Sequence, residues 1–559
     1  MVYVYERQSN LNKYIGKNLS VEEIKETLMD MGMDLKGESK ESDPELKIEI
    51  TAEKMDLISA VGIGRAIAYY RGIKKELPKY NIKKSGLKLK VDKSVENVRS
   101  KAVCALVKNV PMDDNFLDEI IQIQEKIHAS FGRNRKKGAI GIYPLDKIKF
   151  PITYRAENPV KIKFRPLESE REMTGEEIVK FHETGQKYAH LLAEAKEYPI
   201  FVDSNNEILS MPPIINSFNT GRVEASHKDL FIECSGHNLQ HLDNILKILV
   251  TTFIDMGATA ESIEVEYYDK TKYELDLSNV SDEIEIAFIN RLIGINLNEK
   301  DVRELFAKVM LNVIEVKAGK VKFEIPPFRS DLWADEDVAD DIARAYGYNN
   351  VVPTFPNISS VGEQLDVSRF RDKVTNSMIS LGFLELYTYM LSSTQNQFKN
   401  MGLEEEDCVR LIDSEDQGLN MVRTRILPEV LQSLHINRQH KYPQKVFENG
   451  FVIKPDSKAD TGALNQLHLC AAIADPKSNY TQIKAILTAI SKLHELDFEV
   501  KEEDFKFLIS GRSAKIMFKG EKVGLIGELH PQVLDSFGLL VPVSVLEINL
   551  GLCPESQFE

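Results

Sequence analysis

The sequence predicts an α+β protein of several domains, and three observations lead to this fold class. The chain has 559 residues, which is too many for one hydrophobic core, because a domain usually holds about 100–150 residues. One small unit of helix, strand and helix occurs twice, on either side of a long mixed α/β segment. Strand-like runs then cluster in the last third of the chain with spacings typical of hairpins, which predicts an antiparallel sheet flanked by helices.

The first half of the repeated unit is an amphipathic helix with a capping signal. "LSVEEIKETLMDM" and "LNEKDVRELFAKV" both carry apolar residues at helical spacing. Ser20 with Glu23, and Asn298 with Asp301, have the three-residue spacing of a capping box. Each segment therefore predicts a helix that begins at the capping residue.

The second half of the unit is a strand, a turn and another helix. Residues 48–72 align with residues 323–347 without a gap, and each copy ends in a glycine suited to follow a helix. The matched positions are Glu49 and Glu324, Asp56 and Asp331, Leu57 and Leu332, Ile67 and Ile342, and Gly72 and Gly347. The repeat sets the predicted domains, which are 1–88 with the first copy, 89–275 as the mixed α/β domain, 276–352 with the second copy, and 353–559 as the antiparallel domain.

The second copy carries a cluster of carboxylates on its last helix. Asp337, Asp340 and Asp341 are three or four positions apart and share one helix face, and Asp331 lies just before the helix. Four carboxylates converging on a solvent face would suit Mg²⁺, which prefers oxygen ligands. The alternative is that acids in a first helical turn interact favourably with the helix dipole.

The first copy has Gly62, Arg65 and Ala66 where the second copy has its three helical aspartates. The helix therefore does not need these acids in order to form. This difference favours a cation, and both interpretations stay open on spacing alone.

Two segments of the middle domain carry polar residues that could form a site. "EILSMPPIINSFNTGRV" and the strand "DLFIECSG" could form a pocket that binds a small substrate and positions a water molecule, or a β-turn with local hydrogen bonds. The loop "GRNRKKG" could contact phosphates or could be a solvated loop. The candidate residues are Ser210, Pro212, Pro213, Asn216, Thr220, Glu233 and Gly236 in the pocket, and Arg133, Arg135, Lys136 and Lys137 in the loop.

Other chemistry is disfavoured by the sequence. His237 and His241 have a metal-capable spacing but lack the general-base glutamate of a zinc protease motif. No phosphate-binding P-loop is present, and no Lys or Arg follows Lys522, so a phosphate site built from the last strands would lack cations. We expect the last domain to be without catalytic residues.

Composition and charge limit the function further. The chain is 43% apolar and 28% charged, as in a folded globular protein, and its formal charge of −15 disfavours a general nucleic-acid binder. No signal peptide and no apolar run of 18 residues are found, so we expect a cytoplasmic protein without a membrane partner. The five cysteines form no CxxC pair and fit a reducing compartment; they are Cys104, Cys234, Cys408, Cys470 and Cys553.

Several segments, in order, resemble the β subunit of phenylalanyl-tRNA synthetase in its archaeal and eukaryotic form. They are "QEKIHASFGRNRKKGAIGI", "LSMPPIINS", "LFIECSG", "IPPFRSDLWADEDVADDIARAYGYNNV", "VRTRILPEVLQSL", "YPQKVFENG" and "LIGELHPQVLDSFGL". The resemblance covers almost the whole chain.

This resemblance implies a role beside a separate catalytic chain. The middle domain would be an editing domain that hydrolyses tyrosine wrongly attached to tRNA(Phe), since an apolar pocket alone cannot reject a near-isostere. The last domain would be a class II synthetase fold without catalytic residues. Aminoacylation, with ATP as a substrate of the holoenzyme, would take place on the α subunit of an (αβ)₂ heterotetramer that binds tRNA(Phe).

The resemblance also implies roles for particular residues. Asp331, Asp337, Asp340 and Asp341 fall on the family's Mg²⁺-ligand positions, and the pocket residues fall in the editing region. Relatives often read "IGxHDLD" where this chain has "IGIYPLD", with Tyr143 and Pro144. Some members also carry Asp in place of Glu233. Because these departures lie in the editing region, the alternative function is a structural subunit that docks tRNA and supports assembly without editing.

Overall fold

The computed structural model describes residues 2–412, 414 and 418–552, so Cys553 lies outside the described residues. The chain divides into two compact units, Met1–Phe355 and Pro356–Glu559. Within the described part of the chain, no helix combines the length and apolar character needed to cross a membrane.

The two copies of the repeated unit have the same sequence of elements. The first copy consists of β1 (Val2–Arg7), α1 (Gln8–Ile15), α2 (Val21–Asp30), β2 (Asp34–Glu38), β3 (Glu45–Ile50) and α3 (Ala60–Tyr70). The second copy, which follows the middle segment of the chain, consists of β16 (Val280–Glu285), α9 (Ile286–Ile293), α10 (Glu299–Lys308), β17 (Asn312–Lys317), β18 (Lys320–Ile325) and α11 (Asp335–Tyr346). Their sheets have the equivalent orders β1-β3-β2 and β16-β18-β17.

The predicted repeat is confirmed and is longer than the sequence comparison indicated. Both predicted capping boxes are present, with Ser20 and Asn298 as the capping residues. Gly72 and Gly347 follow the last helices with φ of 69° and 91°, a backbone conformation that residues with a side chain rarely adopt. The structure adds a strand and a helix at the start of each copy, which sequence identity alone did not show.

Between the copies lies a mixed sheet covered by helices. Its elements are β4 (Ile82–Val91), β5 (Lys101–Lys108), α4 (Asp114–Ala129), β6 (Gly138–Pro144), β7 (Ile152–Glu157), β8 (Lys163–Phe164), β9 (Met173–Thr174), α5 (Gly175–Phe181), α6 (Glu183–Tyr188), β10 (Tyr198–Val202), β11 (Ile208–Met211), β12 (Ile215–Asn216), α7 (Phe218–Gly221), β13 (Leu230–Gly236), α8 (Leu239–Asp255), β14 (Thr259–Tyr267) and β15 (Lys272–Tyr273). The strand order is β12-β11-β10-β7-β4-β14-β5-β13-β6, with β15 beside β14, and β4 runs parallel to β7 and β14.

Apolar side chains cover both faces of this mixed sheet. One face packs on α4 and α8, and its core continues into the first copy and includes Phe328 of the second. The other face is packed with Tyr143, Tyr154 and Phe231. Strands β6 and β13 are fully buried, so a polar side chain on them lies inside the protein.

The second unit is built on an antiparallel sheet, as predicted. Its elements are α12 (Asp366–Ser380), β19 (Leu384–Glu385), β20 (Leu391–Ser392), β21 (Met421–Val422), α13 (Leu427–Ile436), β22 (Gln444–Pro455), β23 (Ala463–Ala474), α14 (Tyr480–Leu493), β24 (Phe498–Glu502), β25 (Leu508–Phe518), β26 (Glu521–Leu529), α15 (Pro531–Ser536) and β27 (Val543–Asn549). The sheet order is β19-β22-β23-β27-β26-β25-β24, and only the pairing of the short β19 with β22 is parallel. Helices α12 and α14 pack on one face and α13 on the other.

Candidate functional site

A pocket of about 420 Å³ lies between α4, the strands β6 and β13, and the hairpin of β11 and β12. Its walls are largely apolar, with isoleucine or leucine side chains from α4, β6 and the hairpin, whereas β13 contributes Glu233. Five of the seven predicted pocket residues line it, which are Ser210, Pro212, Pro213, Asn216 and Glu233. The sequence therefore identified two separated segments that the fold brings to one cavity.

The other two predicted residues are not among the lining residues of this pocket. The Thr220 hydroxyl is buried and donates to the carbonyl of Ile208 at 3.2 Å. Gly236 lies at the far end of β13, where a Cβ would overlap with the carbonyl of Lys137. In this structure Thr220 holds the hairpin and Gly236 allows the basic loop to pack closely on the strand.

Glu233 is the buried acid of the pocket, with 2% of its surface exposed. Its Oε1 lies 3.1 Å from the Tyr143 hydroxyl, and its Oε2 has no hydrogen-bond partner among the residues that the structure describes. Burial raises the pKa of Glu233 to about 8, although the Tyr143 hydrogen bond and the Arg99 charge act in the opposite direction. At neutral pH the side chain is therefore mainly a neutral carboxylic acid that can donate as well as accept a hydrogen bond.

Tyr143 links Glu233 to the hairpin. Its hydroxyl lies 2.7 Å from Ser210 Oγ and 3.1 Å from Glu233 Oε1, and its single proton can serve only one of them at a time. Gly141 makes room for this contact, because a Cβ there would overlap with both the Tyr143 hydroxyl and the Glu233 carboxyl. The departure at Tyr143 thus supplies a polar group that contacts the acid of the pocket.

Sequence reasoning missed a second polar group in the pocket, on α4. His128 Nε2 accepts the backbone N–H of Ile140 at 2.9 Å, so Nδ1 carries the proton and donates to Glu125 Oε1 at 3.1 Å. Burial lowers the pKa of His128, and the hydrogen bond from His128 lowers the pKa of Glu125 to about 2. The three-residue spacing of Glu125 and His128 on one helix face was the available signal.

Arg135 contributes to the pocket, whereas the sequence predicted it as an outward contact. Its guanidinium donates to the carbonyl of Ile214 at 2.8 Å and to Glu125 Oε1 at 3.0 Å, and it lies 4.4 Å from the ring centre of Tyr188. Arg133, Asn134 and Arg135 all have φ between 47° and 66°. This left-handed course directs Arg135 inward, and the sequence could not show it because none of the three is glycine.

The other basic residues of the loop remain exposed, in agreement with a contact surface. Arg133, Lys136 and Lys137 are exposed to solvent. The buried Arg99 fixes the loop by donating to the carbonyls of Arg135 and Lys136 at 3.2 and 3.3 Å. The contact of these side chains with tRNA stays a prediction.

The acidic helix differs from the predicted solvent-exposed face. Asp331 and Asp341 are buried, with 4% and 7% of their side chains exposed. Lys54 Nζ lies 2.6 Å from Asp331 and 2.9 Å from Asp341, and the Arg329 guanidinium binds Asp331 through two nitrogens at 2.8 and 2.9 Å and also binds Asp341. Burial raises the pKa of Asp331, but the charge and hydrogen bonds of Arg329 outweigh it and hold the pKa below its usual range.

The remaining two aspartates have other partners. Asp337 Oδ2 accepts the backbone N–H groups of Trp333 and Ala334, which precede α11, at 2.7 and 2.9 Å. The contact with Ala334 is the one that the third residue of a helix makes in a capping box. Asp340 pairs with Arg344 at 2.5 Å and accepts the Tyr348 hydroxyl at 3.0 Å. These two carboxylates interact with their own helix and the turn after it.

The carboxylates present therefore do not fit one Mg²⁺ ion. Asp331 and Asp341 share two cationic side chains, whereas Asp337 and Asp340 are each bound elsewhere. Among the described residues, no three His, Cys, Asp or Glu side chains are placed to hold a metal, and this includes His237 and His241. Binding of Mg²⁺ stays a prediction. The four carboxylates differ from the predicted arrangement because Lys54 and Arg329 of the same chain act as the counterions of Asp331 and Asp341.

In the second unit, buried charges pair with one another. Arg423 and Glu448 are each 2% exposed in their side chains and lie 2.7 Å apart. Arg423 also donates to the carbonyl of Phe451 and to the hydroxyl of Thr388, both at 2.8 Å. A guanidinium with this many internal partners is already engaged and would have to break these contacts to bind a phosphate.

Comparisons with known proteins agree with the sequence resemblance. Three family models match, described as the phenylalanyl-tRNA synthetase beta chain CLM domain at residues 351–550, the tRNA synthetase B5 domain at 283–348, and the Phe-tRNA synthetase beta subunit B1 domain at 1–73. The chain is 36% identical to the phenylalanine–tRNA ligase beta subunit of Pyrococcus horikoshii, over 97% of this chain and 98% of that one. It is 35% identical to the Archaeoglobus fulgidus protein of the same name, over 91% and 92%.

One solved structure is similar to a large part of this chain. It is an N-terminal fragment of the phenylalanyl-tRNA synthetase beta subunit from Pyrococcus horikoshii, with 37% sequence identity and a TM-score of 0.59. The match covers 62% of this chain and 99% of that fragment.

Proposed function

The chain belongs to the family of phenylalanine–tRNA ligase β subunits, and we propose that it hydrolyses Tyr-tRNA(Phe) in the pocket of its first unit while an α subunit attaches phenylalanine. In this proposal ATP and phenylalanine bind the α subunit of an (αβ)₂ complex in the cytoplasm. The observation that carries the proposal is the unsatisfied Oε2 of Glu233 in a pocket of about 420 Å³.

A neutral buried acid is suited to distinguish tyrosine from phenylalanine. The phenol of tyrosine can both donate to and accept from the Glu233 carboxyl, whereas phenylalanine leaves it unsatisfied. A site built to bind a substrate hydroxyl disfavours the analogue without it, because a buried polar group would lose its partner, at a cost of about 1–3 kcal/mol. The apolar walls would hold the ring of either amino acid, so the acid would supply the selectivity.

Hydrolysis needs a water molecule held near the ester bond. Asn216 lines the pocket on β12 and carries an amide that can bind the water or the ester carbonyl. His128 is neutral, and its two ring nitrogens are engaged by Ile140 and Glu125, so its place in this proposal is to hold α4 against β6. The proposed chemistry is direct attack by water, without a covalent enzyme intermediate.

Features of the second unit support a partner chain. Tyr387 and Tyr389 are 100% and 82% exposed, and Leu384 is 68% exposed, which is unusual for large apolar side chains that are close in sequence. We propose that this surface contacts the α subunit. The antiparallel sheet and the internal pairing of Arg423 support the proposal that this unit is a class II-like domain without aminoacylation activity.

The test compares hydrolysis of Tyr-tRNA(Phe) by the assembled complex and its variants. Asn216→Ala should lower the rate of deacylation by at least tenfold, because the pocket loses a group that positions the reacting atoms. Glu172→Gln is the matched control, because Glu172 is exposed in the same domain and should leave the rate unchanged. Equal background rates in the wild type and Asn216→Ala would instead favour the alternative, a structural subunit that docks tRNA without editing.

A further inference from the structure

Lys54 and Arg329 occupy equivalent positions in the two copies of the repeated unit. The alignment of residues 48–72 with 323–347 matches Lys54 to Arg329, Asp56 to Asp331, and Ala66 to Asp341. Each copy therefore carries one cation just before the turn to its last helix. In the folded chain these two cations lie in one cluster, although they are far apart in sequence.

The second copy provides the carboxylates for both cations. Ala66 stands in the first copy where the second has Asp341, so Lys54 has no acid at that position of its own copy. Its ammonium crosses to the second copy and binds Asp331 at 2.6 Å and Asp341 at 2.9 Å. Asp341, which has no counterpart in the first copy, thus pairs with Lys54, which has no acid at the equivalent position of its own copy.

The cluster is held by its own ion pairs. Asp331 and Asp341 face the two cations, and all four side chains are at most 14% exposed. A third buried carboxylate, Asp56 of the first copy, interacts with the same charges and lies 3.9 Å from Arg65, and burial raises its pKa, which favours its neutral form. Each of the four carboxylate oxygens accepts at least one hydrogen bond from Lys54 or Arg329. A divalent ion could bind here only by displacing the Lys54 ammonium, which would leave that charge buried without a partner.

We propose that the Lys54 ammonium is the permanent counterion of Asp331 and Asp341 and occupies the position that a divalent ion would take between these two carboxylates. The ammonium joins the two copies and makes the link independent of metal. This role is separate from the proposed editing function, because the cluster shares no residue with the pocket.

The test measures Mn²⁺ as a probe for carboxylate sites that also bind Mg²⁺. The full chain in its complex, without ATP, is titrated with Mn²⁺ and followed by electron paramagnetic resonance. Four proteins are compared: the wild type, Asp341→Asn, Lys54→Met, and the double variant Lys54→Met with Asp341→Asn. Lys17→Met is the matched control, because Lys17 is an exposed lysine of the same copy.

The wild type, Asp341→Asn and Lys17→Met should bind the same number of Mn²⁺ ions. Lys54→Met should gain one ion per chain, because loss of the ammonium leaves Asp331 and Asp341, with Asp56 beside them, facing the Arg329 guanidinium. The double variant should lose that ion again. In calorimetry, Mg²⁺ should raise the melting temperature of Lys54→Met and leave that of the wild type unchanged.

Two results would overturn the proposal. The first is a Mn²⁺ ion in the wild type that Asp341→Asn removes, and this comparison does not need a Lys54 variant. The second is a folded Lys54→Met protein that gains no ion. If Lys54→Met does not fold, Lys54→Gln replaces it in the same titration and is judged by the same two results.

Discussion

Replacing Glu233 with glutamine will remove a pH dependence from the stability of the first unit. In the unfolded chain Glu233 has its ordinary pKa of 4.5, whereas burial raises the pKa to about 8 in the folded protein. Between these values the folded state keeps a proton that the unfolded state has lost. The free energy of unfolding therefore falls as the pH rises through this window.

The size of the effect follows from the two pKa values. One pKa unit corresponds to about 1.4 kcal/mol, so the wild type should lose about 2 kcal/mol of unfolding free energy between pH 6 and pH 8 because of this group. Glutamine is neutral at both pH values and has nearly the same shape. Glu233→Gln should lack this loss and be more stable than the wild type at pH 8.

The assay is urea unfolding of the full chain at pH 6 and pH 8, followed by circular dichroism. The quantity of interest is the difference between variants, because other groups titrate in the same range. Glu119, whose pKa burial raises to about 7, is one of them, and it is present in both proteins. Glu172→Gln should follow the wild type. Parallel pH dependences of the wild type and Glu233→Gln would refute the reasoning, since they would mean that Glu233 is already ionised at pH 6.

Two further predictions concern basic residues. Lys136→Ala and Lys137→Ala should each reduce the magnitude of the slope of log binding constant against log salt concentration for tRNA by about 1. Arg135→Met should leave this slope unchanged and slow deacylation. Filter binding at several salt concentrations measures the slopes, and a reduced magnitude for Arg135→Met would contradict its inward placement. Arg423→Met should destabilise the second unit by about 3–5 kcal/mol, because it leaves a buried carboxylate without its cation. The double variant with Glu448→Leu should recover part of this loss in urea unfolding, and equal losses in the single and double variants would show that the pair is not the cause.

The sequence predicted the repeat well because the repeat depends on local signals. Capping residues such as Ser20 and Asn298 and the glycines after the last helices act within a few positions, so their spacing alone indicates the element. The shared first strand and helix were missed because their sequences differ, for example Val2–Arg7 against Val280–Glu285. A fold can be repeated where sequence identity is no longer visible.

The partners of charged residues could not be predicted in the same way. Val338 and Ile342 are four positions apart on α11 and both lie in the core, as helical spacing of apolar residues indicates. Helical spacing also placed Asp341 on a solvent face, because the partner that makes its burial possible, Lys54, lies in the other copy. The direction of Arg135 likewise depends on an unusual backbone conformation that sequence periodicity does not encode.

The pocket was predicted from two separated segments but not in its full chemistry. Ser210, Asn216 and Glu233 were identified by their types and by the resemblance, and the fold places all three on one cavity. The neutral state of Glu233 follows only from its burial, which depends on the neighbouring strands of the sheet.

Glu233 is proposed to select tyrosine by forming a hydrogen bond with its hydroxyl. The most direct measurement compares deacylation of Tyr-tRNA(Phe) and Phe-tRNA(Phe) by the assembled complex carrying Glu233→Gln or Glu233→Leu. Glutamine should keep most of the preference for tyrosine. Leucine should reduce it by about 10–100-fold, since leaving the buried tyrosine hydroxyl without a partner costs about 1–3 kcal/mol. An unchanged preference in Glu233→Leu would contradict the account.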